Sequence, residues 1–255
     1  MKDNNYLIIK SFQGYLVPSI LAILGGNISF MVDHIIAGRV LGSGALAAMS
    51  LVNPLFFLLT TIGTLICVGS STMASICLGK EDRLTANKLF TLAAVLVLSC
   101  GALISIGGFI LLSPVVNLMS GSQELRSMIY DYCRGLIPGS IFIMAVYLPL
   151  NFFRIEGRGY LGMMMFLIMA LLNIALDIFF TVVMGMGMFG LALATVLSSL
   201  IAISAVFPFL FIKGGGYRFV SIVKSVRMVR GIAGLGIGRW HGRGSVAYIR
   251  TGKNM

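Results

Sequence analysis

The chain has 255 residues, 58% of them hydrophobic and only 11% charged, with a mean hydropathy of +1.00. A soluble domain solvates its surface with roughly 25% charged residues and keeps its apolar runs short, so this composition excludes that class. The formal net charge of +11 is uneven: residues 1–212 carry all eight acids and a net +2, whereas residues 213–255 carry nine Lys/Arg and no acid.

A helix crosses the bilayer core with about 20 apolar residues, and six runs reach that length. The first, roughly 12–37, carries Pro18, which lacks an amide hydrogen and predicts a bend, and ends near Asp33 and His34. It is too long for a signal core and has no small-residue cleavage site, so no cleavable leader is expected. The second, roughly 46–78, is longer than one span needs; Pro54, Gly63 and Gly69 predict a kink or an extension beyond the bilayer. The third and fourth cover roughly 86–112 and 127–152. The fifth, roughly 160–184, contains "LLNIALDIFF", where Asn173 and Asp177 interrupt an apolar stretch. The sixth, roughly 188–212, opens with "ALAT", which puts Thr195 near its start. All six are apolar on both faces, which fits helices and not the alternating strands of a membrane barrel. The expected fold is an all-α integral membrane protein with a six-helix lobe over residues 1–212.

Beyond the lobe, Phe219, Ile222, Val223, Val226 and Val229 recur at helical spacing. They predict a basic amphipathic connector over 213–230 whose charged face suits an anionic inner leaflet. Residues 231–255, "GIAGLGIGRWHGRGSVAYIRTGKNM", are glycine- and arginine-rich without periodicity. A truncated or frame-shifted carboxy terminus would look like this. Lys/Arg placement sets the orientation. With the amino terminus inside, the inner loops hold Lys2, Lys10, Lys80, Arg83, Lys88, Arg154 and Arg158, and the outer side only Arg39, Arg126 and Arg134. Both termini are therefore expected in the cytoplasm, with the protein a multi-pass component of the cell (inner) membrane.

Other motifs carry little. Gly185-x-Gly187-x-x-Gly190 has the spacing of a dinucleotide fingerprint, yet it falls between two spans without the strand that chemistry requires. Its glycines are expected to permit a turn. Cys67, Cys77, Cys100 and Cys133 lie in separate apolar runs and read as inert buried thiols. His34 and His241 are the only histidines, so no histidine-based metal site is expected. No nucleophile–base–acid set is present, and nothing points to an enzyme, a cofactor or nucleic acid.

The polar residues inside the spans are the signal. An aspartate near the centre of a membrane helix costs about 2.5–3.5 kcal/mol on insertion scales, and such acids are functional by default. Asn173 and Asp177 lie four apart, on one helical face. At 1.5 Å per residue, Asp33, Asp177 and Thr195 each fall roughly 8–12 Å inside the outer boundary. Two carboxylates, an amide and a hydroxyl in one layer make an oxygen-rich site that can hold a cation such as Na⁺ or share a proton. The alternative is that each aspartate merely hydrogen-bonds a neighbouring helix.

At these residues the sequence resembles the multidrug and toxic compound extrusion (MATE) family. The carrying segments are "VDHIIAGRVLGSGALAA", the inner-loop "NFFRIEGRG", and "NIALDIFFTVVMGMGMFGLALAT". The resemblance covers roughly residues 10–225 and implies the amino-terminal half of a twelve-helix, pseudo-symmetric antiporter. Such a protein exports small cationic or amphipathic compounds in exchange for Na⁺ or H⁺. It implies a cation-binding role, possible for Na⁺, at Asp33, Asn173, Asp177 and Thr195, and a bending role for Pro18. His34 departs from the small or hydroxylated residue expected there. Partners would be the lipid bilayer and either a missing carboxy-terminal lobe or a second copy. Two other readings compete: a lipid or polysaccharide-precursor flippase, disfavoured by the scarcity of basic residues in the spans, and an inert membrane fragment.

Overall fold

The computed structural model describes residues 16, 20, 24–120, 122–211 and 216–221. Pro18, most of the 213–230 connector and the whole 231–255 tail lie outside those residues. The described residues are helical almost throughout, with no strand among them.

Helix α1 (24–36) runs on through a wider π turn, Ala37–Leu41. Helix α2 (Ser43–Gly79) is one element of 37 residues with Pro54 inside it. At 1.5 Å per residue it is about 55 Å long, against a hydrocarbon core of about 30 Å, so it extends past the core rather than ending at the proline. Helix α3 (Arg83–Ile110) starts at Asp82, whose carboxylate accepts the Thr85 amide at 3.0 Å. Hydrogen bonds from Thr85 hold that carboxyl below the usual range. A short helix, α4 (Leu112–Met119), follows; it turns Leu112 and Val116 inward and exposes Leu118. The sequence pattern had merged its start with the third span.

The fourth predicted span is broken. Helix α5 (Gln123–Leu136) is bent by 58° from the stretch Ser140–Ile155, which comprises α6 (Ser140–Ala145) and α7 (Tyr147–Ile155). Pro138 at the break cannot donate the amide bond that would continue α5. The fifth and sixth spans match expectation closely. Helix α8 (Gly159–Asp177) continues as a π turn, Ile178–Val183, and α9 (Gly187–Val206) ends in a tighter turn, Phe207–Phe211. Between them Gly185 and Gly187 adopt φ of +65° and +60°, where a side chain would strain the backbone. Two of the three fingerprint-like glycines make the turn, and Gly190 lies within α9.

At the Arg83/Glu156 end of the lobe, the chain after α9 packs back onto it. Tyr217 stacks on Phe90 with ring centroids 4.9 Å apart, and the Arg218 and Val220 amides donate to Asn87 Oδ1 (3.3 Å) and Thr91 Oγ1 (3.1 Å). Residues 216–221 are irregular where the pattern predicted the start of a connector helix. Beside them Arg158 pairs with Glu156 at 2.7 Å and donates to the Phe209 carbonyl at 2.9 Å. Burial pushes the Glu156 carboxyl up even with the Arg158 and Arg83 charges nearby.

Candidate functional site

Each site residue is aimed by helix periodicity. Asn173 and Asp177 share the inward face of α8, and both are buried, Asp177 to 0% exposure. Thr195 projects from α9. Asp33 projects from α1 and is largely buried. Both acids lie just before a π stretch, Asp33 four residues ahead of Ala37 and Asp177 immediately ahead of Ile178. Wider turns of this kind recur at functional positions because they re-aim side chains by a fraction of a turn.

The amide of Asn173 is held on both sides. Its Oδ1 accepts from Ser29 Oγ on α1, and its Nδ2 donates to Thr195 Oγ1 at 3.5 Å. Thr195 spends its own proton on the Leu191 carbonyl (3.2 Å), leaving its oxygen free to accept. Asn173 therefore ties α1, α8 and α9 together.

The carboxyl groups of Asp33 and Asp177 lie side by side, within hydrogen-bonding reach of one another. As carboxylates neither could donate, and Asp33 Oδ1 and both Asp177 oxygens have no donor among the described residues. Two unpaired buried charges cost several kcal/mol. A proton between the acids, or a small cation coordinated by their oxygens, removes most of that cost. The donor set is all oxygen, which suits a hard ion.

Sequence reasoning named Asp33, Asn173, Asp177 and Thr195, and the structure brings the four together. Pro18 lies outside the described residues. Three neighbours went unnamed: Ser29, Thr181 and Tyr132. Ser29 is one turn before Asp33, and Thr181 one turn after Asp177, buried with its hydroxyl unpartnered. The same four-residue spacing that singled out Asn173 would have found both. Tyr132 of α5 is buried within electrostatic range of both acids, and nothing in its local sequence marks it. His34 is occupied elsewhere: its Nδ1 bonds the Phe30 carbonyl (2.8 Å) and its Nε2 meets Asn53 of α2 at 3.5 Å.

Asp33, Asn173 and Thr195 also face a cavity of about 340 Å³. Its walls are largely aromatic and apolar, with Phe30, Phe56, Phe57, Tyr147, Phe166 and Met169 among them, interrupted by hydroxyl and amide groups such as Thr60, Ser198 and Ser199. No Lys or Arg occurs among its described lining residues. Asp177 is not part of the described lining, so Asp33 stands between cavity and buried acid.

Residues 18–179 match the MatE family model. Among curated relatives, "Probable multidrug resistance protein YoeA" of Bacillus subtilis (strain 168) is 28% identical over 207 residues, covering 78% of this chain and 44% of the relative. "Multidrug export protein MepA" of Staphylococcus haemolyticus is 24% identical over 195 residues, covering 76% and 43%. Among solved structures, a MOP superfamily transporter from Pyrococcus furiosus superposes with a TM-score of 0.81 at 23% identity, covering 89% of this chain and 51% of that one. An inward-facing multidrug resistance MATE family transporter gives a TM-score of 0.75 at 25% identity, covering 85% and 52%. The chain spans about half the length of the relatives it matches. With the family model covering more than half of its residues and the fold shared with MATE transporters, the chain belongs to the MatE family.

Proposed function

We propose that the chain is the amino-terminal lobe of an exporter that drives small cationic or amphipathic compounds out of the cell in exchange for Na⁺ or H⁺. The observation that carries this is the paired carboxyls of Asp33 and Asp177, one of them opening on an aromatic cavity. A lipophilic monocation fits such walls, which supply apolar contact and ring faces for a positive charge. At about 340 Å³ the space is at the small end of ligand pockets. A cation arriving at Asp33 makes the proton or Na⁺ held by the acid pair redundant, and that exchange is antiport. The relatives' names as multidrug resistance and export proteins support the same reading.

The division into a lobe over 1–212, a connector over 213–230 and a tail over 231–255 belongs to the proposal, as does a location in the cell membrane. Transporters of this build rock one repeat against another, so full transport is expected only with a second lobe, from a longer chain or a second copy. A flippase for anionic head groups would need basic residues in the cavity, and none lines it among the described residues.

Ethidium is the probe. It is expected to bind the purified chain in lipid nanodiscs saturably, with an affinity that falls at least fivefold when Na⁺ or acid is added. Absence of binding, or binding indifferent to both, contradicts the reading. The orientation has its own check. Cysteines at Ser43 and Ser122 should react with a membrane-impermeant thiol reagent applied outside, and one at Lys80 should not; all three positions are exposed. The reverse pattern overturns the topology.

A further inference from the structure

We propose that the break in the fourth span is a hinge pinned by Ser105 of α3, and that Ser105 is a positioning residue linking the acid pair to the cavity wall. The accounting of backbone bonds at the break leads there. The Ile137 carbonyl takes the Ser140 amide at 3.1 Å, and the Phe142 amide turns back to Gly139 at 3.0 Å. The backbone thereby skips the Pro138 carbonyl. Ser105 Oγ fills that place, 2.6 Å from the Pro138 oxygen and 2.9 Å from that of Ile137. A hydroxyl on a neighbouring helix therefore satisfies a carbonyl that the break leaves without a backbone donor.

The contact depends on close approach. Gly101 and Gly108 flank Ser105 on the same face of α3, and a Cβ at either would come within 2.8 Å of Ile141 or Ile137. Ser140 Oγ bonds the Gly101 carbonyl at 3.2 Å and Ser105 Oγ at 3.4 Å, but neither of the two carbonyls at the break. What lies on either side gives the break its consequence. On the α5 side the buried Tyr132 lies within electrostatic range of Asp33 and Asp177. On the other side Ile143, Val146 and Tyr147 line the cavity. A change of angle at Ile137–Gly139 moves one set relative to the other. Discontinuous spans with side-chain-satisfied backbone are tolerated where they border a cavity, and this one borders both features of the site. The coupling to substrate rests on the transporter reading; the hinge does not.

The test uses spin labels on cysteines at the exposed positions Ser127 and Arg154, in a background with the four native cysteines replaced by alanine. From helix rise, the bent span puts the labelled backbones roughly 36 Å apart and a straight one roughly 40 Å. Ser105→Ala is expected to add a population up to about 4 Å longer and to weaken ethidium binding about tenfold. Ser140→Ala, which leaves both break carbonyls bonded, is expected to keep the wild-type distance and affinity. A wild-type distance distribution in Ser105→Ala overturns the hinge. A shifted distribution with unchanged ethidium affinity overturns the link to the cavity while leaving the transporter reading intact. Equal effects from Ser140→Ala would show that the α3–α6 contact as a whole, and not the bond to the break carbonyls, sets the angle, and would overturn the role of Ser105.

Discussion

Replacing Asp177 by asparagine is expected to abolish cation-coupled efflux in a two-lobed protein while making the lobe more stable. The two outcomes share a cause. Asp177 is fully buried, and neither of its carboxylate oxygens has a donor among the described residues. An asparagine keeps the shape, removes the charge, and supplies an NH₂ that the Asp33 carboxyl can accept. An uncompensated buried charge costs about 3–5 kcal/mol, and relieving part of that cost is expected to show as a raised Tm in detergent or nanodiscs. That gain should shrink when Na⁺ or acid is added, because either supplies the positive charge that the pair lacks. Coupled efflux should fall at least a hundredfold with membrane insertion unchanged, since nothing remains to release when substrate arrives. Undiminished cation-driven efflux in this variant would remove Asp177 from the site, and a lowered Tm would mean that its carboxylate has a structural partner.

Gly139→Ala is expected to be strongly disruptive to the lobe. A Cβ at Gly139 would stand 2.2 Å from Val196 Cγ2, 2.3 Å from Cγ1 and 2.8 Å from its Cβ. Rotating the valine relieves the first two contacts but not the third, so α5–α6 must move away from α9. Overpacking usually costs about 1–3 kcal/mol and sometimes more; here the upper end or beyond is expected, with loss of folded protein on purification. Adding Val196→Ala should recover part of the loss, because it removes both offending methyls. A single variant as stable as wild type, or a double variant no better than the single, would show that the two helices do not meet this tightly. Gly135, one turn earlier, is under the same pressure from Ala192, at 2.8 Å, so the whole seam between α5 and α9 relies on small residues.

Hydropathy made the lobe legible because a bilayer permits few alternatives. The fifth and sixth predicted runs match the elements Gly159–Val183 and Gly187–Phe211 to within a residue. The break at Ile137–Gly139 escaped because it is an event of backbone hydrogen bonding. Pro138 signals a missing donor, but only the arrival of Ser105 from another helix shows that the chain can bend there at little cost. The separate helix α4 escaped for a related reason, since its apolar residues merge with the end of the third span. The site was legible in its costliest members, Asp33, Asn173 and Asp177, which stand out against apolar neighbours. Ser29 and Thr181 are cheap to bury in a helix, where hydroxyls commonly bond the preceding turn, so residue type alone did not mark them; only their four-residue spacing from Asp33 and Asp177 could. The two π turns left no trace in residue pattern.

The most direct test of the cation-exchange reading is the stoichiometry of displacement. Purified chain in nanodiscs is titrated with ethidium while released protons are followed in weakly buffered solution and released ²²Na⁺ by filtration. About one cation, H⁺ or Na⁺, should leave for each ethidium bound, and the release should vanish in Asp177→Asn while ethidium still binds at Asp33. Ethidium binding by the wild-type chain with neither ion released would contradict the exchange at Asp33 and Asp177.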